Sequence, residues 1–374
     1  MTSTPRALSA LAVTLIAGVG MVSPASAAPT HDDSGSQAKH SSPGKNSTLK
    51  LQNEFDHIGA EVHSLTRKGR TSYYIDEGDK KGRAVVFIGG QGTSLEAFQL
   101  TEFARSTREQ LGLRVISVER NGFGESSFDS KLGYRDYVNE VLGVLDHLDV
   151  DEFVIMAISG GGAYAAHLAS TVPDRVISLH AGAAVARTLP TRTPIAACDQ
   201  TPAERNAATV KWTHNPKDWW AVPGSPVLVI PGWQATAYLD AVRSFYLGGQ
   251  LGKPDALSHE GALPCGPNAV VDASTITAPT YLYWGEKDEA VPVSEMRQWE
   301  KALPNVKEAT VYKGEGHTVQ YRHWDQILAD MAGYTKHTVY CKNGQTLLAP
   351  DAKAKRDLAR GATLGLCAWE AAGK

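Results

Sequence analysis

The fold is decided by residues 152–162, which read EFVIMAISGGG. Residues 152–156 are predominantly apolar and β-branched, which is typical of a strand that is buried on both faces. The run passes without a break into Ser159 and three glycines, and residues 163–171 then have the spacing of a helix. A serine on so tight a turn presents its Oγ above the sheet. The stretch therefore predicts a strand, a turn that carries a nucleophile, and a helix.

The residues around the serine fit a nucleophile turn better than a phosphate-binding loop. Small residues two positions either side of the serine keep the turn free of clashes. Ala157 and Gly161 occupy those positions, so the pattern Gly-x-Ser-x-Gly is met except that alanine replaces the first glycine. A Gly-rich phosphate loop or a packing turn is the alternative, but neither phosphate-binding glycine motif is present here. Ser159 is the predicted nucleophile.

Further apolar and β-branched runs alternate with helical patterns on both sides of this stretch. We predict strands at residues 60–65, 71–75, 84–88, 114–118, 175–180, 279–284 and 308–312, and a helix at 137–148. The first two strands look like a hairpin. Strands that alternate with helices in this way imply an α/β fold with a mainly parallel, doubly wound sheet covered on both faces.

The base and the acid that a serine nucleophile needs are predicted downstream, in loops that follow two strands. A serine hydroxyl becomes nucleophilic when a histidine takes its proton and a carboxylate orients that histidine. Asp288 follows the strand at 279–284, and His317 follows the strand at 308–312. Because the carboxyl ends of parallel strands share one edge of the sheet, we predict a triad of Ser159, Asp288 and His317 there.

Three neighbouring residues are alternatives for these two roles. Glu286 and Glu289 flank Asp288 and are alternatives for the acid. His323 is a weaker alternative for the base, because it falls within the helical pattern that follows. A lone Asp or His in such a loop is more often a solvated turn residue, so the prediction depends on the agreement of the three placements.

These motifs resemble those of α/β-hydrolase fold enzymes over residues 61–336. Besides the segments with the serine, the aspartate and the histidine, the resemblance is carried by residues 88–92 (IGGQG) and 119–126 (ERNGFGES). It implies a hydrolase core of residues 51–183 and 275–336. Serine at the turn argues against the dehalogenases and epoxide hydrolases of this fold, which have aspartate there.

The resemblance also implies the parts that surround this core. Residues 184–274 lie between two core strands and are expected to fold as a cap that shapes the substrate pocket. Residues 337–374 are expected to be a C-terminal extension beyond the last helix of the fold. Four tryptophans lie in the cap segment, where packing is a more common role for them than lining an acyl pocket; they are Trp212, Trp219, Trp220 and Trp233.

By the resemblance, the oxyanion of the reaction is bound by two backbone N–H groups. These are the N–H groups of Gly90 and Gly160, with Gln91 next in line. Two positions depart from the family's usual residues. The family usually has histidine where this chain has Ile88, and often has aspartate where it has Glu119.

The amino terminus has the pattern of a secretory signal peptide. One basic residue precedes an almost continuously apolar run at residues 7–22, and the small residues 25–27 then form a cleavage site. We predict a signal peptide of residues 1–27, a flexible leader of residues 28–50, and a secreted, extracellular mature protein. An uncleaved membrane anchor is the alternative; no later stretch is long and apolar enough for a membrane span.

The four cysteines are predicted to form two disulfides, the usual outcome for an even number in an exported protein. Three pairings are open. Cys341 and Cys367 share the short tail, and Cys198 and Cys265 share the inserted segment, so this local pairing is favoured. No Cys-x-x-Cys or tight histidine spacing indicates a metal site.

The charge balance excludes one class of partner. The chain of 374 residues has 37 Lys and Arg against 40 Asp and Glu, a formal charge of −3. Without a basic excess, no nucleic-acid partner is expected.

The sequence predicts a secreted serine hydrolase that cleaves an ester, a lactone or a similar acyl bond of a small molecule, through an acyl-enzyme and without a cofactor. Two alternatives remain open. One is a peptidase or aminopeptidase of the same fold, although those aminopeptidases usually have His-Gly-Gly-Pro-Gly where this chain has residues 88–92. The other is a non-catalytic ligand-binding module, which an intact triad argues against.

Overall fold

The computed structural model describes residues 47–51, 59–210 and 233–367 of the chain. All of them belong to one structural unit, Gly44–Lys374. The predicted signal peptide and residues 28–46 of the predicted leader lie outside the described residues. So do Trp212, Trp219 and Trp220.

The described strands form two sheets. In chain order the strands are β1 (Leu49–Leu51), β2 (Val62–Arg67), β3 (Arg70–Glu77), β4 (Arg83–Ile88), β5 (Leu113–Val118), β6 (Phe153–Ile158), β7 (Val176–Gly182), β8 (Thr280–Gly285), β9 (Val306–Tyr312), β10 (His337–Lys342), β11 (Gln345–Pro350) and β12 (Thr363–Leu364).

The larger sheet has eight strands in the order β2-β3-β5-β4-β6-β7-β8-β9. β2 and β3 form the predicted hairpin, and β3 is also antiparallel to β5. The remaining neighbours in the sheet, in the order β5-β4-β6-β7-β8-β9, are all parallel. The predicted α/β class with a mainly parallel sheet is therefore confirmed, and β6 lies near the centre of that sheet.

Helices cover both faces of the larger sheet. The described α-helices are α1 (Arg105–Gln110), α2 (Tyr134–His147), α3 (Gly161–Thr171), α4 (Pro202–Val210), α5 (Trp233–Ala241), α6 (Pro254–Ala262), α7 (Val293–Ala302), α8 (Val319–Arg322), α9 (Trp324–Met331) and α10 (Asp351–Leu358). None of the helices in the described ranges is both long and apolar enough to cross a membrane.

Alternate residues of the central strands pack on opposite faces. In β4, Val86 and Ile88 belong to the core layer that includes residues of α2, α3 and α7. Val85 and Phe87 belong to the layer on the other face, which includes residues of α9. Side chains alternate between the two faces along a strand. A strand that is buried on both faces therefore shows no alternation of apolar and polar residues, and residues 152–156 show none.

The inserted segment between β7 and β8 contains α4, α5 and α6. A disulfide joins Cys198 to Cys265 within it, the local pairing that the sequence favoured. Trp233 at the start of α5 is 1% exposed and meets the ring of Phe103 at 6.1 Å between centroids. The predicted packing role therefore holds for this tryptophan.

The second sheet corrects the predicted leader boundary. Its order is β1-β11-β10-β12, and β1 pairs antiparallel with β11, so residues 49 and 50 are strand rather than flexible leader. The three residues of β1 are too few to show an alternation of apolar and polar side chains in the sequence. Pairing with β11 satisfies their backbone groups and buries Leu51. A disulfide joins Cys341 in β10 to Cys367, as the local pairing predicts.

Candidate active site

Ser159 lies on the turn between β6 and α3 in a strained backbone conformation. Its φ is +50°, in the left-handed region that non-glycine residues rarely adopt. Its carbonyl accepts hydrogen bonds from the N–H groups of Gly162 (3.1 Å) and Val185 (2.9 Å), and its own N–H donates to Gly182 (3.2 Å). Three backbone hydrogen bonds therefore stabilise this strained conformation, and such conformations are common at functional sites.

Close backbone packing explains which of the small residues around Ser159 must be glycine. A Cβ on Gly161 would lie 2.4 Å from the carbonyl oxygen of Ile88, and a Cβ on Gly160 would lie 2.6 Å from the backbone nitrogen of Gln91. Ala157 instead has its methyl group in the core, where it is fully buried. Alanine therefore fits at the first position of the motif.

The structure brings the three predicted triad side chains into one hydrogen-bonded chain. The Oγ of Ser159 lies 3.1 Å from Nε2 of His317. The other ring nitrogen, Nδ1, lies 2.9 Å from Oδ2 of Asp288. The side chain of Asp288 has no exposed surface, and its Oδ1 accepts the N–H groups of Ala290 and Val291 at 2.9 and 2.8 Å.

The alternatives for acid and base lie elsewhere. Glu286 and Glu289 are exposed, and Glu286 accepts the N–H of Gly314. The ring of His323 stacks on Tyr312, and its Nε2 lies 2.8 Å from a carboxylate oxygen of Glu315. Of the candidates that the sequence left open, Asp288 and His317 are those that form a chain with Ser159.

A cavity of about 260 Å³ opens over the Ser159 hydroxyl, bounded by both the core and the inserted segment. Ser159, His317 and the candidate oxyanion residues lie in its wall. Much of the remaining described wall is apolar, contributed by Ala97, Ile158, Val185, Phe245, Leu257 and Val291. A concave, mainly apolar surface beside a nucleophile is typical of a site for a small organic molecule.

The three predicted oxyanion residues border this cavity together. A Cβ on Gly90 would lie 3.4 Å from the Cβ of Ser159, so the loop after β4 passes directly over the serine. The packing of Gly160 against Gln91 brings the start of α3 to the same place. Within the described ranges, the N–H groups of Gly90 and Gln91 donate to no protein acceptor. They are therefore available to a ligand.

Two buried charged residues that sequence reasoning missed hold this loop. The guanidinium of Arg120 donates to the carbonyl oxygens of Gly90 and Thr93, each at 2.6 Å. It also pairs at 2.5 Å with Glu260 of α6, whose second carboxylate oxygen accepts the N–H of Gly92 at 2.5 Å. Glu260 thus connects the inserted segment to the loop. Nothing local in the sequence marks it, because its partner lies far away in the chain.

Glu119, at the position where the family often has aspartate, is buried and bonds to the segment that follows the loop after β4. Both of its carboxylate oxygens accept the N–H of Leu95, at 3.1 Å each. Burial raises the pKa of Glu119 to about 8. A Cβ on Gly124 would lie 2.2 Å from one of these oxygens, so glycine there leaves room for the longer side chain.

No three His, Cys, Asp or Glu side chains in the described parts of the chain are arranged to hold a metal ion.

Comparison with known proteins gives one family. A sequence model of the alpha/beta hydrolase family matches residues 85–330. The chain is 25% identical over 304 residues to the 2-hydroxy-6-oxononadienedioate/2-hydroxy-6-oxononatrienedioate hydrolase of Cupriavidus pinatubonensis, covering 73% of this chain and 99% of that protein. It is 32% identical over 112 residues to the dihydrolipoyllysine-residue acetyltransferase component of the acetoin cleaving system of Pseudomonas putida, and that match spans only 29% of the relative.

Solved structures agree with this fold at low sequence identity. An alpha/beta hydrolase enzyme from a Medee basin deep-sea metagenome library has a TM-score of 0.53 and 19% identity, covering 75% of this chain and all of that one. The 2-hydroxy-6-oxo-6-phenylhexa-2,4-dienoate hydrolase of a Rhodococcus strain has a TM-score of 0.53 and 16% identity, covering 74% and 99%. With the family model matching most of the chain, this protein belongs to the alpha/beta hydrolase family.

Proposed function

We propose that the protein is a serine hydrolase that cleaves an ester, a lactone or a similar acyl bond of a small molecule. The observation that carries the proposal is the hydrogen-bonded chain that runs from Ser159 through His317 to Asp288. The Ser159 end of this chain lies in the wall of a largely apolar cavity. A solvated turn serine has neither a strained backbone nor a partnered base. A nucleophile, a base that takes its proton and a carboxylate that orients the base are together what nucleophilic acyl transfer requires.

The first half of the reaction forms an acyl-enzyme. His317 takes the proton of the Ser159 hydroxyl through Nε2 while the oxygen attacks the carbonyl carbon of the substrate. Asp288 accepts a hydrogen bond from Nδ1–H and stabilises the imidazolium that forms. Since the two oxygens of Asp288 are held by His317 and by two backbone N–H groups, the ring is kept in one orientation. His317 then protonates the leaving group.

The second half repeats these steps with water as the nucleophile. His317 deprotonates the water, which attacks the acyl carbon and releases the acid. In both halves the N–H groups of Gly160 and of Gly90 or Gln91 bind the negative oxygen of the tetrahedral intermediate. Every step uses side chains and backbone groups of this chain, so the proposal invokes no metal or organic cofactor.

We also propose that the protein is exported and cleaved after Ala27. The two disulfides join all four cysteines, and such bonds persist in oxidising compartments. Amino-terminal sequencing of the protein from culture medium tests this: a mature chain that begins at Ala28 is expected. A protein retained in cells with Met1 at its terminus would contradict it.

The proposed activity is tested with a panel of 4-nitrophenyl esters of increasing acyl length, beside aminoacyl and peptidyl 4-nitroanilides. We expect turnover of esters, and its loss in Ser159→Ala. Ser170→Ala is the matched control, because Ser170 lies near the end of α3 and its hydroxyl donates to the carbonyl of His167. Equal turnover by Ser159→Ala would contradict the assignment, and turnover of the anilides alone would favour a peptidase.

A second candidate is hydrolysis of a 2-hydroxy-6-oxo acid, the kind of substrate that the names of the Cupriavidus and Rhodococcus relatives give. The observation that favours it is the match to 99% of the Cupriavidus protein, although at 25% identity. Incubation with such an acid, with the products followed by mass spectrometry, separates it from ester cleavage. Products that appear in the wild type and not in Ser159→Ala would favour this candidate.

A further inference from the structure

One side chain that borders the cavity has a buried hydrogen-bond acceptor without a donor. Gln250 lies between α5 and α6 in the inserted segment, lines the cavity, and is 6% exposed. Its Oε1 has no hydrogen-bond partner among the described residues. A buried acceptor that stays unpaired costs free energy, so such a group in a native structure calls for an explanation. A substrate that donates a hydrogen bond to this oxygen supplies one.

The other end of the Gln250 amide fixes its orientation. Nε2 donates to the carbonyl oxygen of Gln91 at 2.7 Å. Turning the amide over would place Oε1 against that carbonyl oxygen, and two acceptors would then face each other, so the hydrogen bond assigns the nitrogen and the oxygen. A Cβ on Gly92 would clash with the Cγ of Gln250, so glycine there lets the side chain pack on the loop after β4.

The acceptor is attached to the same loop as the candidate oxyanion groups. Gln91, whose carbonyl holds the Gln250 amide, packs on Gly160. The preceding residue, Gly90, is the one that passes directly over Ser159. A substrate group that binds Oε1 is therefore held beside the loop that borders the reacting carbonyl.

A second amide oxygen in the cavity wall also has no partner among the described residues. It is Oε1 of Gln320, in α8, which is 1% exposed and whose Cβ packs over Gly182 at the end of β7. Gln250 is the better placed of the two for the substrate, because its bond to Gln91 fixes it on the loop that passes over the serine. Separate variants distinguish these two acceptors.

The donor that fits the Gln250 acceptor is a neutral N–H group. The described wall of the cavity contains Arg187 and Arg205 and no aspartate or glutamate, so an ammonium group finds no counter-ion in it. A hydroxyl group donates as well, but its own lone pairs then need a donor, which Oε1 does not provide. An amide N–H carries no charge and is satisfied by one acceptor.

We propose that the substrate carries an amide N–H besides its scissile acyl bond, and that Oε1 of Gln250 accepts a hydrogen bond from it. The proposal rests on the proposed hydrolase function and names the substrate class, an ester or lactone that also contains a secondary amide. A site built to pair with a substrate N–H discriminates strongly against an analogue that lacks it, because the buried acceptor is then left unpaired. Gln250 thereby determines specificity and takes no part in the proton transfers.

Pairs of esters in which CH2 replaces N–H test the proposal. 4-Nitrophenyl 4-acetamidobutanoate and 4-nitrophenyl 6-oxoheptanoate place the group on the acyl side. The pair 4-acetamidophenyl acetate and 4-(2-oxopropyl)phenyl acetate places it on the leaving group. Each kcat/KM is divided by the rate of uncatalysed hydrolysis, which corrects for intrinsic reactivity. We expect wild type to favour the amide member of one pair by about tenfold to a hundredfold, and that pair identifies the side that bears the amide.

Variants locate the preference. Gln250→Met removes the acceptor and is expected to lower the amide-to-ketone ratio at least about fivefold, while the ketone ester is still hydrolysed. Loss of the bond to Gln91 affects both esters alike, so it leaves the ratio unchanged. Gln110→Met is the matched control, because Gln110 is exposed, is not among the residues that line the cavity, and donates its amide to the carbonyl of Lys50. Gln110→Met and Gln320→Met are both expected to keep the wild-type preference.

The outcomes separate this inference from the function on which it rests. Equal corrected kcat/KM for the two members of each pair in wild type, a measurement that needs no variant to fold, would overturn the amide site and leave the hydrolase intact. A preference that persists unchanged in Gln250→Met, or that is lost in Gln320→Met alone, would also overturn it. If wild type cleaves no ester in the panel and takes up no serine-directed probe, the hydrolase function fails and this inference falls with it.

Discussion

Glu260 is predicted to stabilise the protein and to hold the loop over the serine. In Glu260→Ala, the guanidinium of Arg120 loses its ion-pair partner while it stays buried; the exposed fractions of the two side chains are 4% and 6%. Removing one partner of a buried ion pair costs about 3–5 kcal/mol, and the lost bond to Gly92 adds about 1 kcal/mol. We therefore expect the free energy of unfolding to fall by roughly 4–6 kcal/mol.

Urea unfolding followed by fluorescence measures this loss, and ester turnover below the unfolding midpoint measures the effect on the loop. We expect kcat to fall by up to about 10²-fold, since a displaced loop weakens one oxyanion donor. Glu300→Ala, which removes a carboxylate from the exposed pair with Arg297, is the control and is expected to cost below about 1 kcal/mol. A cost for Glu260→Ala as small as this control would refute the reasoning.

Three further predictions concern the acid, the second sheet and the response to pH. Asp288→Asn is expected to lower kcat about 10³- to 10⁴-fold in the ester assay with little change in KM, because the histidine tautomer is no longer set; a loss under tenfold would point to another acid. Replacing Cys341 and Cys367 by serine opens a loop with a sequence separation of 26, which is expected to cost roughly 3.5 kcal/mol in urea unfolding. Unchanged stability would show that the second sheet needs no cross-link. Burial raises the pKa of Asp330 to about 7, above its unfolded value of about 3.9, so the folded state keeps a proton that the unfolded state loses and stability falls as pH rises between these values. Asp330→Asn is expected to flatten that fall by up to about 4 kcal/mol, and equal pH profiles of stability would contradict it.

The core strands, and the placement of the three triad candidates next to one another, could be predicted from the sequence because their signals are local. Residues 153–158 are apolar without interruption, so the buried strand and its tight exit at Ser159 are evident within one short window. Asp288 and His317 each follow a strand directly, and parallel strands bring such loops to one edge. Among the three candidates for the acid, Asp288 is buried and lies 2.9 Å from Nδ1 of His317, whereas Glu286 and Glu289 are exposed.

What the sequence did not reveal depends on contacts between distant segments. The β1 strand has three residues, and only its pairing with β11 near the carboxyl end makes it a strand. The bond between Arg120 and Glu260 joins residues 140 positions apart. Arg187 and Arg205 have no motif, and they come to lie beside the loop at Gln91 only because the inserted segment folds back onto it. Such pairings are tertiary, so no window of sequence encodes them.

We propose above that Ser159 is a nucleophile which His317 and Asp288 activate. Intact-mass measurement of the mature, non-reduced protein before and after a fluorophosphonate probe tests it most directly, with Ser159→Ala treated in parallel. One adduct is expected on the wild type and none on the variant. A folded wild-type protein that takes up no probe, or an adduct that persists in Ser159→Ala, would contradict it.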